Sequence, residues 1–126
     1  MFDEGDPLLA ALRERVLELP GVVETITFGR PWWRAGRVFA IYGGGTKGPE
    51  KVPHPRALIV AVDPDELPAR RQDQRFFVPA YFGPRGWLGI DLDGADVDWD
   101  EVGELLDAGY RTVATKTLVR ELDARG

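Results

Sequence analysis

The sequence contains neither cysteine nor serine, and its one histidine is His54. The lack of cysteine excludes disulfides, thiolate nucleophiles and every metal site built on sulfur. Because serine and cysteine are both missing, His54 has no customary nucleophile to activate, although threonine and lysine stay open. The residues therefore form no catalytic constellation, and we expect no catalytic residues, no cofactor and no metal.

Long apolar segments are also lacking. No apolar run approaches the ~20 residues that a membrane-spanning helix needs, and the acidic start differs from the basic start of a secretory signal. The absence of cysteine is compatible with a reducing compartment, so we expect a cytoplasmic protein. A length of 126 residues suits one domain with one apolar core, and we assign residues 1–126 to that domain.

The net charge is −5 at pH 7, which argues against binding nucleic acid through bulk electrostatics. The charge is nevertheless unevenly distributed. Residues 25–62 contain six bases and one acid, whereas residues 91–107 contain eight acids and no base. This asymmetry indicates either ordinary surface variation or a charged binding face.

Hydrophobic periodicity predicts mixed α and β structure. Asp6 and Pro7 open an amphipathic helix, Asp63 opens a short one and Asp98 opens another in the acidic region. Strands are expected at 22–28, 32–34, 38–42, 56–62 and 86–92, and the last helix at 115–122. The expected fold is α+β: an antiparallel β-sheet of about five strands with an N-terminal helix and two C-terminal helices packed on it.

Two motifs resemble known sites without matching them. The GGGTKG sequence at 43–48 lacks the spacing of a phosphate-binding P-loop, and the prolines that follow it predict an exposed hairpin loop from Gly43 to Pro55. The acidic string at 91–100 does not fit a calcium-binding loop, and its Asp93-Gly94 pair predicts a turn. His54 is expected to be a solvated residue of the hairpin loop.

The four tryptophans suggest stacking on a planar ligand. Three of them have arginines close in sequence, namely Arg30 and Arg34 around Trp32 and Trp33, and Arg85 before Trp87. Consecutive residues of a strand point to opposite faces, so only one member of the adjacent pair is available to a ligand. Packing in the core is the competing interpretation.

Three stretches together carry a family resemblance: FGRPWWRAGRVFAIY at 28–42, FFVPAYFGPRGWLGIDLD at 76–93 and DWDEVGELLDAGYRTVATKTL at 98–118. The chain resembles the MmcQ/YjbR family over about residues 16–123. The resemblance implies an α+β fold similar to the secretion-chaperone-like proteins, and an association with DNA binding through a double-wing arrangement. It brings no established catalytic residues. Arg37 departs from the family pattern, which often has lysine there, and this changes the geometry of any contact.

Three functions remain open. The first is a module that binds DNA or another nucleic acid, with Trp33 or Trp87 stacking on bases and with phosphate contacts from Arg30, Arg34, Arg37, Arg85, Arg111 and Lys116. The second is a protein-interaction module, either a homodimer or a clamp on another protein, that uses the aromatic loop at 76–87. The third is a protein that binds a small anionic ligand between Arg37, Trp87 and Lys116.

Overall fold

The computed structural model describes residues 2–47, 49, 51–94 and 96–125. The helices of these residues are α1 (Pro7–Val16), α2 (Leu67–Gln72), α3 (Trp99–Val113) and α4 (Lys116–Ala124). The strands are β1 (Val23–Thr27), β2 (Arg30–Ala35), β3 (Arg37–Gly45), β4 (Pro53–Ala61), β5 (Phe76–Phe77) and β6 (Trp87–Asp91). A single 3-10 turn, Gly83–Arg85, precedes β6. None of the helices in the described ranges is both long and apolar enough to cross a membrane.

The strands form one antiparallel sheet in the order β1-β2-β3-β4-β6-β5. This confirms the α+β prediction, with six strands in the described residues instead of about five. The additional strand is β5, which the sequence analysis placed in a loop; its two residues pair with Ile90 and Gly89 of β6. β4 lies at the centre of the sheet, and its residues from Ala57 to Ala61 are buried, as their continuous apolar character predicts.

The core lies between one face of the sheet and the helices. Gly109 of α3 packs so closely on β4 that a β-carbon there would come within 2.7 Å of the Ala61 carbonyl oxygen. Tyr110 packs edge to face against Phe39 at 5.8 Å, and its hydroxyl donates a hydrogen bond to the Pro20 carbonyl at 2.6 Å. α1 packs against α3 on the same side. Two layers result, and the opposite face of the sheet carries none of these helices.

The predicted helix starts are confirmed for α1 and α3. Asp6 accepts a hydrogen bond from the Leu8 amide, and Asp98 accepts one from the Asp100 amide, each at 2.9 Å. The prediction for Asp63 was wrong by several residues, because α2 begins only at Leu67. Asp63 instead stabilises the turn that precedes α2, because its carboxylate accepts a hydrogen bond from the Asp65 amide.

The predicted hairpin loop is shorter than expected, because β3 continues to Gly45 and β4 begins at Pro53. Gly48 and Glu50 of that loop lie outside the described residues. The expectation of a solvated His54 was wrong. Its ring stacks on Phe77 at 3.8 Å, its Nδ1 lies 2.8 Å from the Asp91 carboxylate, and its side chain is 17% exposed.

Candidate functional site

The sheet face opposite α1 and α3, called the open face here, carries a row of paired residues. Thr25 of β1, Trp32 of β2, Ile41 of β3 and Ile59 of β4 are neighbours in the strand register and therefore share this face. A cavity of about 700 Å³ lies over the row. That volume falls within the range of roughly 300–1,000 Å³ that is typical of ligand sites.

Aromatic side chains form much of the cavity wall. Trp32 lies between Phe28, at 5.9 Å between ring centroids, and Phe82, at 5.8 Å. Phe28 and Tyr81 stand at the rim with exposures of 89% and 82%. The three rings of Phe28, Trp32 and Tyr81 therefore offer apolar faces to a ligand.

Phe28 and Tyr81 share a second property. They are the two residues other than glycine, within the described ranges, whose φ is positive, at 51° and 68°. Side chains with a β-carbon adopt this conformation at a cost of roughly 1–2 kcal/mol. Such cost is concentrated at binding sites, so the backbone strain and the exposed rings point to the same rim.

Cations lie beside these rings. Arg30 and Lys51 line the cavity, the Arg34 guanidinium lies 5.8 Å from the Trp32 ring centre, and Arg85 lies 5.7 Å from that of Phe82. Within the part of the chain that the structure describes, the three arginines have no carboxylate partner. The described lining residues also include no acid. The cavity therefore suits a ligand that combines an aromatic plane with negative charge.

Glycines at the end of β3 leave room for this arrangement. Gly43 has φ of +86°, and a β-carbon on it would lie 3.1 Å from Nη1 of Arg30 and 2.9 Å from the Pro55 carbonyl oxygen. A β-carbon on Gly44 would collide with Ile59 at 2.0 Å. A β-carbon at Gly43 would displace the Arg30 guanidinium, and one at Gly44 would displace the Ile59 side chain. Glycine at both positions therefore preserves the base of the cavity.

Of the eight residues predicted for the site, Arg30 lines the cavity, and Arg34 and Arg85 lie against the rings of Trp32 and Phe82 in its wall. Trp33 is fully buried on the helix side, where its indole donates a hydrogen bond to Glu24 at 2.8 Å. Trp87 is 6% exposed and lies beneath Phe82, with 4.7 Å between ring centroids. Neither tryptophan presents a free face for stacking in this structure.

The remaining predicted residues lie elsewhere. Arg37 begins β3, at the opposite end of that strand from the glycines. Arg111 of α3 pairs with Asp123 at 2.8 Å and with Asp107 at 2.6 Å, and these bonds raise its pKa above the usual value. Lys116 is the first residue of α4, in the helix layer. Arg37, Trp87 and Lys116 are not among the described residues that line the cavity.

The sequence analysis missed Phe28, Tyr81 and Lys51, and it selected Trp33 where Trp32 faces the cavity. A signal for Trp32 was present. Arg30, Trp32 and Arg34 alternate along β2 and so must share one face, whereas Trp33 points to the other. No comparable periodicity identifies Phe28 or Tyr81, because both belong to turns.

Comparisons with known proteins place the chain in a family. The family model described as YjbR matches residues 17–112. Among solved structures, the crystal structure of Deinococcus radiodurans protein DR2400, which has a DUF419 domain, is similar with a TM-score of 0.67 and 27% identity, covering 91% of this chain and 87% of that chain. The search of curated proteins finds no match. Since the family model spans most of the sequence, the chain belongs to the YjbR family.

Proposed function

We propose that this protein binds nucleic acid on the open face of its sheet. The observation that carries the proposal is that Arg30 lines the aromatic cavity while Arg34 and Arg85 lie against the rings of Trp32 and Phe82 in its wall, each of the three without a carboxylate partner among the described residues. Guanidinium groups contact phosphates and aromatic rings contact bases, so both parts of a nucleotide find a partner there.

The net charge of −5 does not oppose this proposal, because the described residues that line the cavity include no acid, and eight of the acids lie in residues 91–107. Glu101 of α3 binds Arg70 and Arg75, while Asp107 and Asp123 bind Arg111. These ion pairs neutralise Arg70, Arg75 and Arg111 locally. The potential at the open face is set by the arginines near the cavity and not by the total charge.

A salt titration tests the proposal. A labelled 20-nucleotide strand is titrated by fluorescence anisotropy at ~50 mM and ~200 mM salt. If the strand makes about four phosphate contacts, this rise in salt should weaken binding by about 50-fold. No binding at ~50 mM salt contradicts the proposal, because phosphate contacts are strongest there.

A matched pair of variants locates the surface. Arg30→Ala with Arg34→Ala removes two positive charges from the open face, and we expect a loss of affinity of at least 10-fold. Lys116→Ala with Arg120→Ala removes two positive charges from exposed positions of α4 and should change affinity by less than 3-fold. Equal losses in the two variants would show that binding is unspecific attraction to the whole molecule.

A small planar anion is a second candidate ligand, favoured by the cavity volume of about 700 Å³. A thermal-shift series with nucleoside monophosphates and aromatic carboxylates tests it, since a ligand at 100 times its Kd stabilises the fold by about 2.7 kcal/mol. Association with a second copy or with another protein stays a prediction of the sequence. A cytoplasmic location also stays an inference, supported by the absence of cysteine.

A further inference from the structure

We infer that the cavity on the open face receives one unstacked nucleobase, so that the protein prefers single-stranded nucleic acid; this inference rests on the proposed function. The β1–β2 turn provides the first argument. Phe28 and Gly29 connect the two strands, and both have positive φ, at 51° and 73°. A two-residue turn of this kind favours Asn-Gly or Asp-Gly, and phenylalanine is strained at its first position.

The fold compensates little for the strain at Phe28. This residue is 89% exposed, so burial contributes little, and among the described residues its ring has one aromatic neighbour, Trp32 at 5.9 Å. A planar ligand between these rings would use surface that the protein leaves uncovered. Because bases stack favourably on exposed aromatic side chains, the strained turn presents a ring that an unpaired base can use.

Tyr81 is presented to the cavity by a fixed loop. The Ala80 amide donates a hydrogen bond to the Gly45 carbonyl at 2.9 Å, and the Phe82 amide donates one to the Ala80 carbonyl at 2.8 Å. Tyr81 lies between these anchored residues with φ of 68°. The backbone that carries the rim ring is therefore fixed before a ligand arrives, which reduces the entropy lost on binding.

A duplex cannot use these rings. In double-stranded nucleic acid the faces of each base are covered by neighbouring bases, so aromatic side chains stack on bases only where a strand is unpaired. The cavity is concave and lined by Phe28, Trp32 and Tyr81, which fits an inserted base and not the edge of a base pair. Few cations lie nearby, so phosphate contacts alone would hold a duplex weakly.

The cations of the cavity fit the phosphates on either side of an inserted base. Arg30 lies at the cavity wall next to Gly43, and Lys51 lines the cavity from the hairpin between β3 and β4. Arg34 and Arg85 lie against the rings of Trp32 and Phe82. An unpaired strand is flexible enough to place one base in the cavity and its neighbouring phosphates on these groups.

Four probes test the inference on the full chain: a 12-nucleotide oligothymidine, an abasic strand of equal length, a 12-base-pair duplex, and free thymidine monophosphate. We expect the oligothymidine to bind at least 10-fold more tightly than the abasic strand and than the duplex, with a change in Trp32 fluorescence. Tyr81→Ser should reduce the difference between oligothymidine and abasic strand to less than 3-fold. Because Tyr81 is 82% exposed, this substitution should leave the fold intact, and thermal unfolding checks this directly.

Ile26→Ser is the matched control, because Ile26 is also exposed, at 55%, but does not line the cavity. It should leave the preference for oligothymidine over the abasic strand unchanged. Equal binding of oligothymidine and abasic strand, or tighter binding of the duplex, overturns this inference and leaves the proposed function standing. Absence of binding to every strand overturns the proposed function as well. Binding of thymidine monophosphate without binding of any strand supports the base site and overturns the proposal of a strand ligand.

Discussion

The hydroxyl of Tyr42 donates a hydrogen bond of 2.5 Å to the buried carboxylate of Asp6, which begins the first helix. The same carboxylate accepts hydrogen bonds from Nε and Nη2 of Arg56 at 3.0 and 2.8 Å. One side chain therefore caps α1 and joins it to β3 and β4. The hydrogen bond from Arg56 holds the pKa of Asp6 well below its usual range, and burial, with a smaller contribution from Asp6, raises the pKa of Tyr42 to about 12.

Removal of this carboxylate should destabilise the fold more than removal of an ordinary cap. We expect Asp6→Ala to lower the free energy of unfolding by about 3 kcal/mol, because it leaves Tyr42 and Arg56 without their partner. Asp98→Ala loses only the cap of α3 and should cost about 1 kcal/mol. Urea denaturation of both variants measures the difference, and equal losses would show that the contacts to Tyr42 and Arg56 contribute nothing.

Acid should destabilise the protein through the same group. The pKa of Asp6 is lowered in the folded state, and that of Asp73 is lowered to about 2, mainly by its hydrogen bond with Arg75. Because the unfolded pKa is roughly 3.9, the stabilisation is present at higher pH and is lost as pH falls through the folded values. Stability should be nearly constant from about pH 7 to 5 and should fall from about pH 4 downward.

The variant Asp6→Asn tests this assignment. It lacks the titrating group, so its stability should fall less steeply with pH in the acid range than that of the native chain. Thermal unfolding measured at several pH values between about 2 and 7 gives both slopes. Identical slopes would assign the acid sensitivity to other carboxylates.

Gly36 and Gly43 have the same backbone conformation, so substitutions at them distinguish the cost of backbone strain from the cost of steric crowding. Gly36 and Gly43 have φ of +85° and +86°, but a β-carbon at Gly36 meets nothing within 4 Å, whereas one at Gly43 meets Pro55 and Arg30. We expect Gly36→Ala to cost about 1–2 kcal/mol from strain alone. Gly43→Ala should cost at least about 1 kcal/mol more by urea denaturation, and it alone should weaken oligothymidine binding by displacing Arg30. Equal stability of the two variants contradicts the close contact at Gly43.

At the β1–β2 turn we expect a substitution that raises stability instead of lowering it. Phe28→Asn supplies the residue that a turn with positive φ prefers, so it should raise the free energy of unfolding by up to about 1 kcal/mol. Oligothymidine affinity should fall at the same time. Ile26→Asn, in the extended strand two residues earlier, should instead lower stability by about 1 kcal/mol. A destabilised Phe28→Asn protein would mean that the phenyl ring serves the fold itself.

Local patterns predicted most of the architecture. Asp6 and Asp98 cap helices where the sequence places them, and the apolar run from Ala57 to Val62 belongs to the central strand and the buried residues that follow it. These features depend on neighbours within a few residues. The pairing of β5 depends on contact with β6 and leaves no periodic signal in a segment of two residues.

The predictions that were wrong concern residues whose contacts are made with distant parts of the sequence. His54 was expected in solvent because prolines flank it. Its ring instead contacts Phe77 and Asp91, which lie 23 and 37 positions further along the chain. Trp33 was expected to bind a ligand, yet Glu24 on the adjacent strand fixes its indole in the core. Single-sequence patterns specify which residues alternate, but not which of the two faces a helix layer will cover.

The uneven distribution of charge over the molecule has a kinetic consequence. The described cavity wall carries Arg30 and Lys51 and no acid, whereas α3 carries four acids and one base, so the molecule has an electric dipole moment. In the field of an approaching polyanion it rotates before contact, so that the basic side leads even though the molecule as a whole is repelled. Collisions would then be productive more often than the overall negative charge suggests, and this advantage would disappear as added salt shortens the range of the field.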